Sequence, residues 1–246
     1  MRNIWIIANR EYKHFFASQI AYIVAFVTLI ALGGYFFINI NYASQSFGQA
    51  SPPGVDVVIY LVIFLLVFIC PAISMRLLSE EQRLGTLEIL LTNPLRDWEL
   101  VVGKWLGAFL YMLTLFALTF IYPIALNFMV KPGIDQGLLV TGYLGLILVT
   151  ASFLGVGVMI SSFFSNQVAT YVTTFGVLFI LWWIIRIASQ AGGGGNAILN
   201  YIDLSNHFYE TLAQGVIALG DIVYLLSLTV LTLFLGTVSI EMRRWR

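Results

Sequence analysis

The sequence predicts an all-α, polytopic membrane protein with six transmembrane helices. Three observations predict it. The chain is 60% hydrophobic and 10% charged over 246 residues, with a mean hydropathy of +0.92. Soluble domains average about 25% charged residues, so a surface this poor in charge calls for a bilayer as solvent. Second, six apolar runs are each long enough to span, given that a span takes about 20 residues at 1.5 Å rise. Third, ten of the twelve cations fall on one side of those runs.

The spans are predicted at Ile20–Ile40, Val57–Ile73, Trp105–Val130, Leu138–Phe164, Val168–Ile187 and Ile222–Ile240. The third and fourth exceed the minimum, so they should tilt or protrude. None alternates in the way a membrane barrel strand does, which leaves helices. Arg2, Arg10 and Lys13 precede span 1. Arg76, Arg83, Arg96 and Lys104 lie between spans 2 and 3, and Arg243, Arg244 and Arg246 follow span 6. Only Lys131 and Arg186 fall opposite. The positive-inside rule then puts both termini and the second loop in the cytoplasm. One span more or fewer would scramble this split. The whole chain, 1–246, reads as one transmembrane domain, with no convincing internal repeat.

Residues 1–18 precede the first span as an interfacial helix. On a helical wheel Ile4, Trp5, Ala8, Tyr12, Phe15 and Phe16 share one arc, while Arg2, Asn9, Arg10 and Lys13 share the opposite one. That pattern suits a helix with its apolar face at the acyl boundary and its cations toward anionic lipid headgroups. The first span is too long for the h-region of a signal peptide, and no clear small-residue cleavage site follows it.

The loop Met75–Lys104 holds four of the twelve cations and five of the twelve acids. Pro71 permits a bend near the end of span 2, beyond which helix is expected through Met75–Leu84. Gly85 should end or turn that helix. Residues 86–91 resume as a short amphipathic helix that Asn93 and Pro94 stop. Arg96 or Asp97 then opens a helix that contains Glu99 and enters span 3 at Lys104. Such a helix, held between two breakers, is either a plain connector or a docking element. The charge density and the two breakers favour docking.

Residues 188–221 begin with four glycines and continue too apolar for a free loop and too polar for a span. Short amphipathic helices on the extracytoplasmic face are expected there, with Ser205 or Asn206 as a cap. They would form part of an exit path or a structural lid. His207, Phe208, Glu210 and Asp221 are the gate candidates of this segment.

Several chemistries are excluded. The central parts of the spans lack ionisable residues, which argues against proton or sodium coupling. His14 and His207 are on opposite faces, and with the single Cys70 they build no metal site. Cys70, inside an apolar run, reads as a buried thiol. Lys104 follows Gly103, but a phosphate-binding loop would need glycine at Trp98 and Ser or Thr at Trp105. No basic patch interleaved with aromatics is present, so nucleic acid is not expected as a partner. No catalytic residue, metal or cofactor is expected in this chain, and it is not expected to be an enzyme by itself.

Arg76, Glu80, Glu81, Gly85, Thr86, Leu87, Glu88, Leu90, Leu91, Pro94, Glu99, Gly103 and Lys104 together resemble the signature loop of type-2 ABC transporter permeases. The stretches Ser205–Glu210, Gly215–Ile217 and Asp221–Leu228 are similar to the branch of the gliding-motility permease GldF and of NosY. One departure is Arg96, where many relatives place a capping serine. The resemblance implies the permease subunit of an ATP-driven exporter in the bacterial cytoplasmic (inner) membrane. It implies a homo- or heterodimer of permeases and separate cytoplasmic ABC ATPase subunits that hold ATP and Mg. It implies that the loop helix is a coupling helix, with Glu80, Glu81, Arg83, Gly85, Thr86, Glu88, Leu91 and Pro94 as candidates for contact with the ATPase. A GldG-like subunit with an extracytoplasmic domain is a further implied partner. The alternative is a non-transport membrane anchor for an ATP-driven complex that assembles or moves an extracytoplasmic machine.

Overall fold

The computed structural model describes residues 2–45, 54–86, 96–130, 133–191 and 197–244. Among them every regular element is helical. Six helical segments are long and apolar enough to cross a membrane: Gln19–Gln45, Asp56–Leu84, Asp97–Met129, Gln136–Phe163, Gln167–Gln190 and Leu219–Met242.

The helices, in order, are α1 (Arg2–Ala17), α2 (Gln19–Gln45), α3 (Asp56–Ser74), α4 (Ser79–Leu84), α5 (Asp97–Thr119) and α6 (Ile121–Met129). They continue as α7 (Gln136–Phe163), α8 (Gln167–Phe179), α9 (Ile185–Ala191), α10 (Ala197–Ile202), α11 (Leu204–Tyr209) and α12 (Leu219–Arg244). A π-helical turn, Ile180–Ile184, joins α8 to α9 within span 5, and a 3-10 turn at Leu212–Gln214 follows α11.

Span 4, α7, is the centre of the bundle. It packs against α3, α5, α8 and α12 and against the 3-10 turn. Small residues allow these close approaches, as expected where lipid supplies no hydrophobic drive between helices. Gly142 faces Ile59 of α3, and Gly157 faces Ser74. A Cβ on Gly155 would lie 2.5 Å from Thr232 Oγ1 of α12. Ser152 Oγ donates to Leu225 O at 2.8 Å and lies 3.1 Å from Thr229 Oγ1, which ties α7 to α12.

Span 1, by contrast, buries little beyond Ala21, Thr28 and Leu32. Two tyrosines of span 3 hold it: Tyr111 donates to Ala21 O and Tyr122 to Leu29 O, each at 2.6 Å. The π turn carries Trp182 inward, where it is 1% exposed and packs on Phe153 and Phe208.

Two boundaries differ from the sequence reading, and a third, the start of span 3, falls where it was expected. Span 1 runs to Gln45 rather than Ile40, because Asn39, Asn41 and Ser44 return their side-chain donors to Tyr35 O, Phe37 O and Asn41 O. The helix of span 3 starts at Asp97. Arg96 is its N-cap residue and Asp97 its first helical residue, while Glu99 Oε2 accepts from Arg96 N at 3.2 Å. Beyond span 2 the helix is not continuous: residues 75–78 form a turn before α4. The cap on the opposite side is also corrected. Asp203, not Ser205 or Asn206, caps α11, accepting from Ser205 N at 3.0 Å and from Ser205 Oγ at 2.7 Å.

Candidate coupling site at the foot of the charged loop

The first described part of the charged loop ends in the helix α4, which is tied to span 4 at its start. Its start, at Leu78 and Ser79, needs acceptors for free backbone N–H groups. Ser161 Oγ, from the end of α7, supplies one to both at 3.0 Å. Gln82 Nε2 donates to Ser162 O at 2.9 Å. At the other end Gly85 adopts φ +68°, the left-handed conformation that terminates a helix at little cost only for glycine.

The charged side chains converge on Lys104. Its ammonium lies 2.8 Å from Glu81 Oε1 and 3.2 Å from Glu11 Oε1. Arg10 completes the cluster, 3.0 Å from Glu11 and 3.5 Å from Glu81. The Lys104 side chain is 2% exposed, whereas that of Arg10 is 56% exposed. Burial raises the Glu11 carboxyl, but the Lys104 charge and the hydrogen bonds from Arg10 and Lys104 outweigh it. Glu11 therefore sits below its ordinary value. Two cations and two carboxylates thus join α1, α4 and α5.

Helix α1 reaches this cluster because α5 carries glycines where they meet. A Cβ on Gly103 would lie 2.8 Å from Ile7 Cβ, and one on Gly107 would lie 2.6 Å from Glu11 Cβ. The apolar arc therefore divides. Ile7, Ala8 and Glu11 are buried against protein, while Trp5 and Phe16 stay exposed. The cationic arc is exposed as expected. The sequence reading missed Ile7 and Glu11 on the packed face. The available signal was a lone acid on the apolar side of the wheel.

The coupling candidates fall in three groups. Glu81 is in the ion cluster, and Glu80 is half-buried beside it. Arg83, Gly85 and Thr86 are exposed at the end of α4. Glu88, Leu91 and Pro94 lie outside the described residues, as does most of the expected coupling helix.

On the opposite side two of the gate candidates meet. His207 Nδ1 lies 2.7 Å from Asp221 Oδ1, and Nε2 lies 2.9 Å from Tyr201 O. Tyr224 stacks on the ring at 4.2 Å, and its hydroxyl donates to Ile202 O at 3.0 Å. Phe208 is fully buried, and Gly145 of α7 has room for its ring. Glu210 is exposed, beside the Asn206 amide. The segment is thus packed onto spans 4 and 6. Tyr201, Asp203 and Tyr224, which build that packing, were not singled out from sequence.

Among the described residues no group of His, Cys, Asp or Glu is arranged to hold a metal ion. The family model for the ABC-2 family transporter protein matches residues 5–243. The chain belongs to the ABC-2 transporter family. It is therefore a multi-pass membrane protein and a permease subunit of an ABC transporter, and the family implies ATPase subunits as partners. No curated protein matches the chain.

Proposed function

We propose that this chain is the permease subunit of an ATP-driven exporter in a bacterial cytoplasmic membrane, with both termini and the charged loop in the cytoplasm. Its partners are a second permease subunit and a pair of ATPase subunits, and the ATPases hold the ATP and Mg. The observation that carries the reading is the ion cluster. Arg10, Glu11, Glu81 and Lys104 tie α4 to α1 and to span 3, while Ser161 ties it to span 4. A push on the loop beyond Gly85 then moves two spans and the interfacial helix together, as coupling requires. A flexible connector would absorb that push.

A ribbon of rings along spans 2 and 5 supports one substrate class. Phe68 meets Phe175 at 5.1 Å, Phe64 meets Trp183 at 5.8 Å, and Phe179 meets Trp183 at 4.9 Å. Phe64, Phe68 and Phe179 remain part-exposed. A substrate path along these rings would favour hydrophobic or lipid-like molecules over small ions.

Affinity purification from native membranes tests the reading. The chain should bring down an ATP-hydrolysing subunit, and Gly85→Pro should abolish its stimulation while membrane abundance holds. Proline fixes φ near −65°, which the +68° turn at Gly85 excludes. Binding and stimulation like the parent's would make the loop a mere connector.

A further inference from the structure

We propose that the foot of the charged loop holds a second, independent site: a pocket for the headgroup of an ethanolamine-type phospholipid. A cavity of about 260 Å³ opens where the end of α1 faces α4 and α5. That is far more than the ~30 Å³ share of one water molecule. Its walls include Phe15, Ser18, Leu77 and Leu84, so it lies level with the start of span 1, at the polar edge of the bilayer.

Its charges divide into two sets. Arg10, Glu11, Glu81 and Lys104 pair with one another in the ion cluster. Arg76 and Glu80 also line the cavity, yet neither takes part in any ion pair among the described residues. A cation and an anion without ion-pair partners on the walls of one cavity point to a ligand that supplies the complementary charges.

One unused cation and one unused anion call for a ligand carrying one charge of each sign. A phosphate fits the Arg76 guanidinium, with the His14 ring at the rim as a further donor. A primary ammonium fits Glu80, because a carboxylate needs N–H donors. A quaternary choline has none, and it calls for an aromatic cage that Phe15 alone does not provide. A glycerol headgroup would leave the carboxylate open. The shared chemistry is thus a phosphate joined to a primary amine. The apolar side of the cavity, and its place level with the start of span 1, favour a lipid over a free solute.

The test is independent of ATP coupling, because it uses the isolated chain. The delipidated protein in detergent is titrated with dihexanoyl forms of phosphatidylethanolamine, phosphatidylcholine and phosphatidylglycerol, and binding is read by native mass spectrometry. The ethanolamine lipid should bind about tenfold more tightly than either other lipid, a typical effect of charged hydrogen bonds. Arg76→Gln and Glu80→Gln should each reduce its binding to the choline level, and Arg76→Lys should keep part of the preference. Equal binding of the three lipids by the parent overturns the proposal, whether or not a variant folds. So do folded Gln variants that still discriminate. Soluble phosphoethanolamine should compete weakly, and competition as strong as the lipid's would overturn the lipid as the source.

Discussion

Lys104 governs its surroundings more than any other side chain on the charged-loop side. It is a buried cation, and two carboxylates make that burial tolerable. Lys104→Met should destabilise the protein by about 3–5 kcal/mol, since it leaves Glu11 and Glu81 facing each other with only the exposed Arg10 between them. Denaturant unfolding in detergent measures this. A loss below about 1 kcal/mol would make the cluster no stronger than a surface ion pair. Glu11 adds a pH signature. Its folded-state pKa lies below the ordinary 4.5, so its contribution is complete above pH 4.5 and falls away as pH drops through the lowered value. Hydrogen exchange of the α1 amides, followed through an acid titration, should show α1 loosening below that range. Glu11→Gln should abolish the transition.

At the scale of elements, placement depends on small residues and single hydroxyls. Gly107→Val should push α1 off span 3, because the new side chain meets Glu11 and the backbone of Ala8. The cost is about 1–3 kcal/mol, as in other overpacked contacts, and limited proteolysis of α1 reads it. Ser161→Ala should cost a similar ~1–3 kcal/mol, because Leu78 N and Ser79 N lose their shared acceptor inside the protein. These contacts mark where sequence reasoning stopped. Six spans and the glycine turn at Gly85 were legible, since apolar length and backbone freedom are local properties. The docking of α1 was half legible: periodicity finds an apolar face but does not say whether lipid or protein covers it. The partners of Lys104 were not legible, because they come from 23 residues upstream and 93 residues upstream, brought together only by packing. The cap of α11 was misplaced by two or three residues because Asp203, Ser205 and Asn206 all suit the role, and only the chain's turn decides between them.

Across the whole molecule, burial and charge are both unevenly distributed, and together they fix how the protein should sit in its membrane. Span 4 is enclosed by its neighbours, whereas spans 1 and 5 show most of their surface. The even number of spans puts both ends of the chain on one side, the side of the Lys104 cluster. The proposed orientation puts that side in the cytoplasm, because ten of twelve cations lie there. Single cysteines in a Cys70→Ala background test the assignment. Thr86→Cys is exposed beyond the turn at Gly85, while Gln45→Cys and Gln214→Cys are exposed at the other end of the bundle. In intact cells a membrane-impermeant maleimide should label Gln45→Cys and Gln214→Cys and should reach Thr86→Cys only after lysis. The comparison is internal, because all three variants share one fold and differ only in where the thiol stands. Labelling of Thr86→Cys from outside would invert the topology. The ion cluster and the loop it anchors would then face away from any ATPase, and the coupling role proposed for them would fall with the orientation.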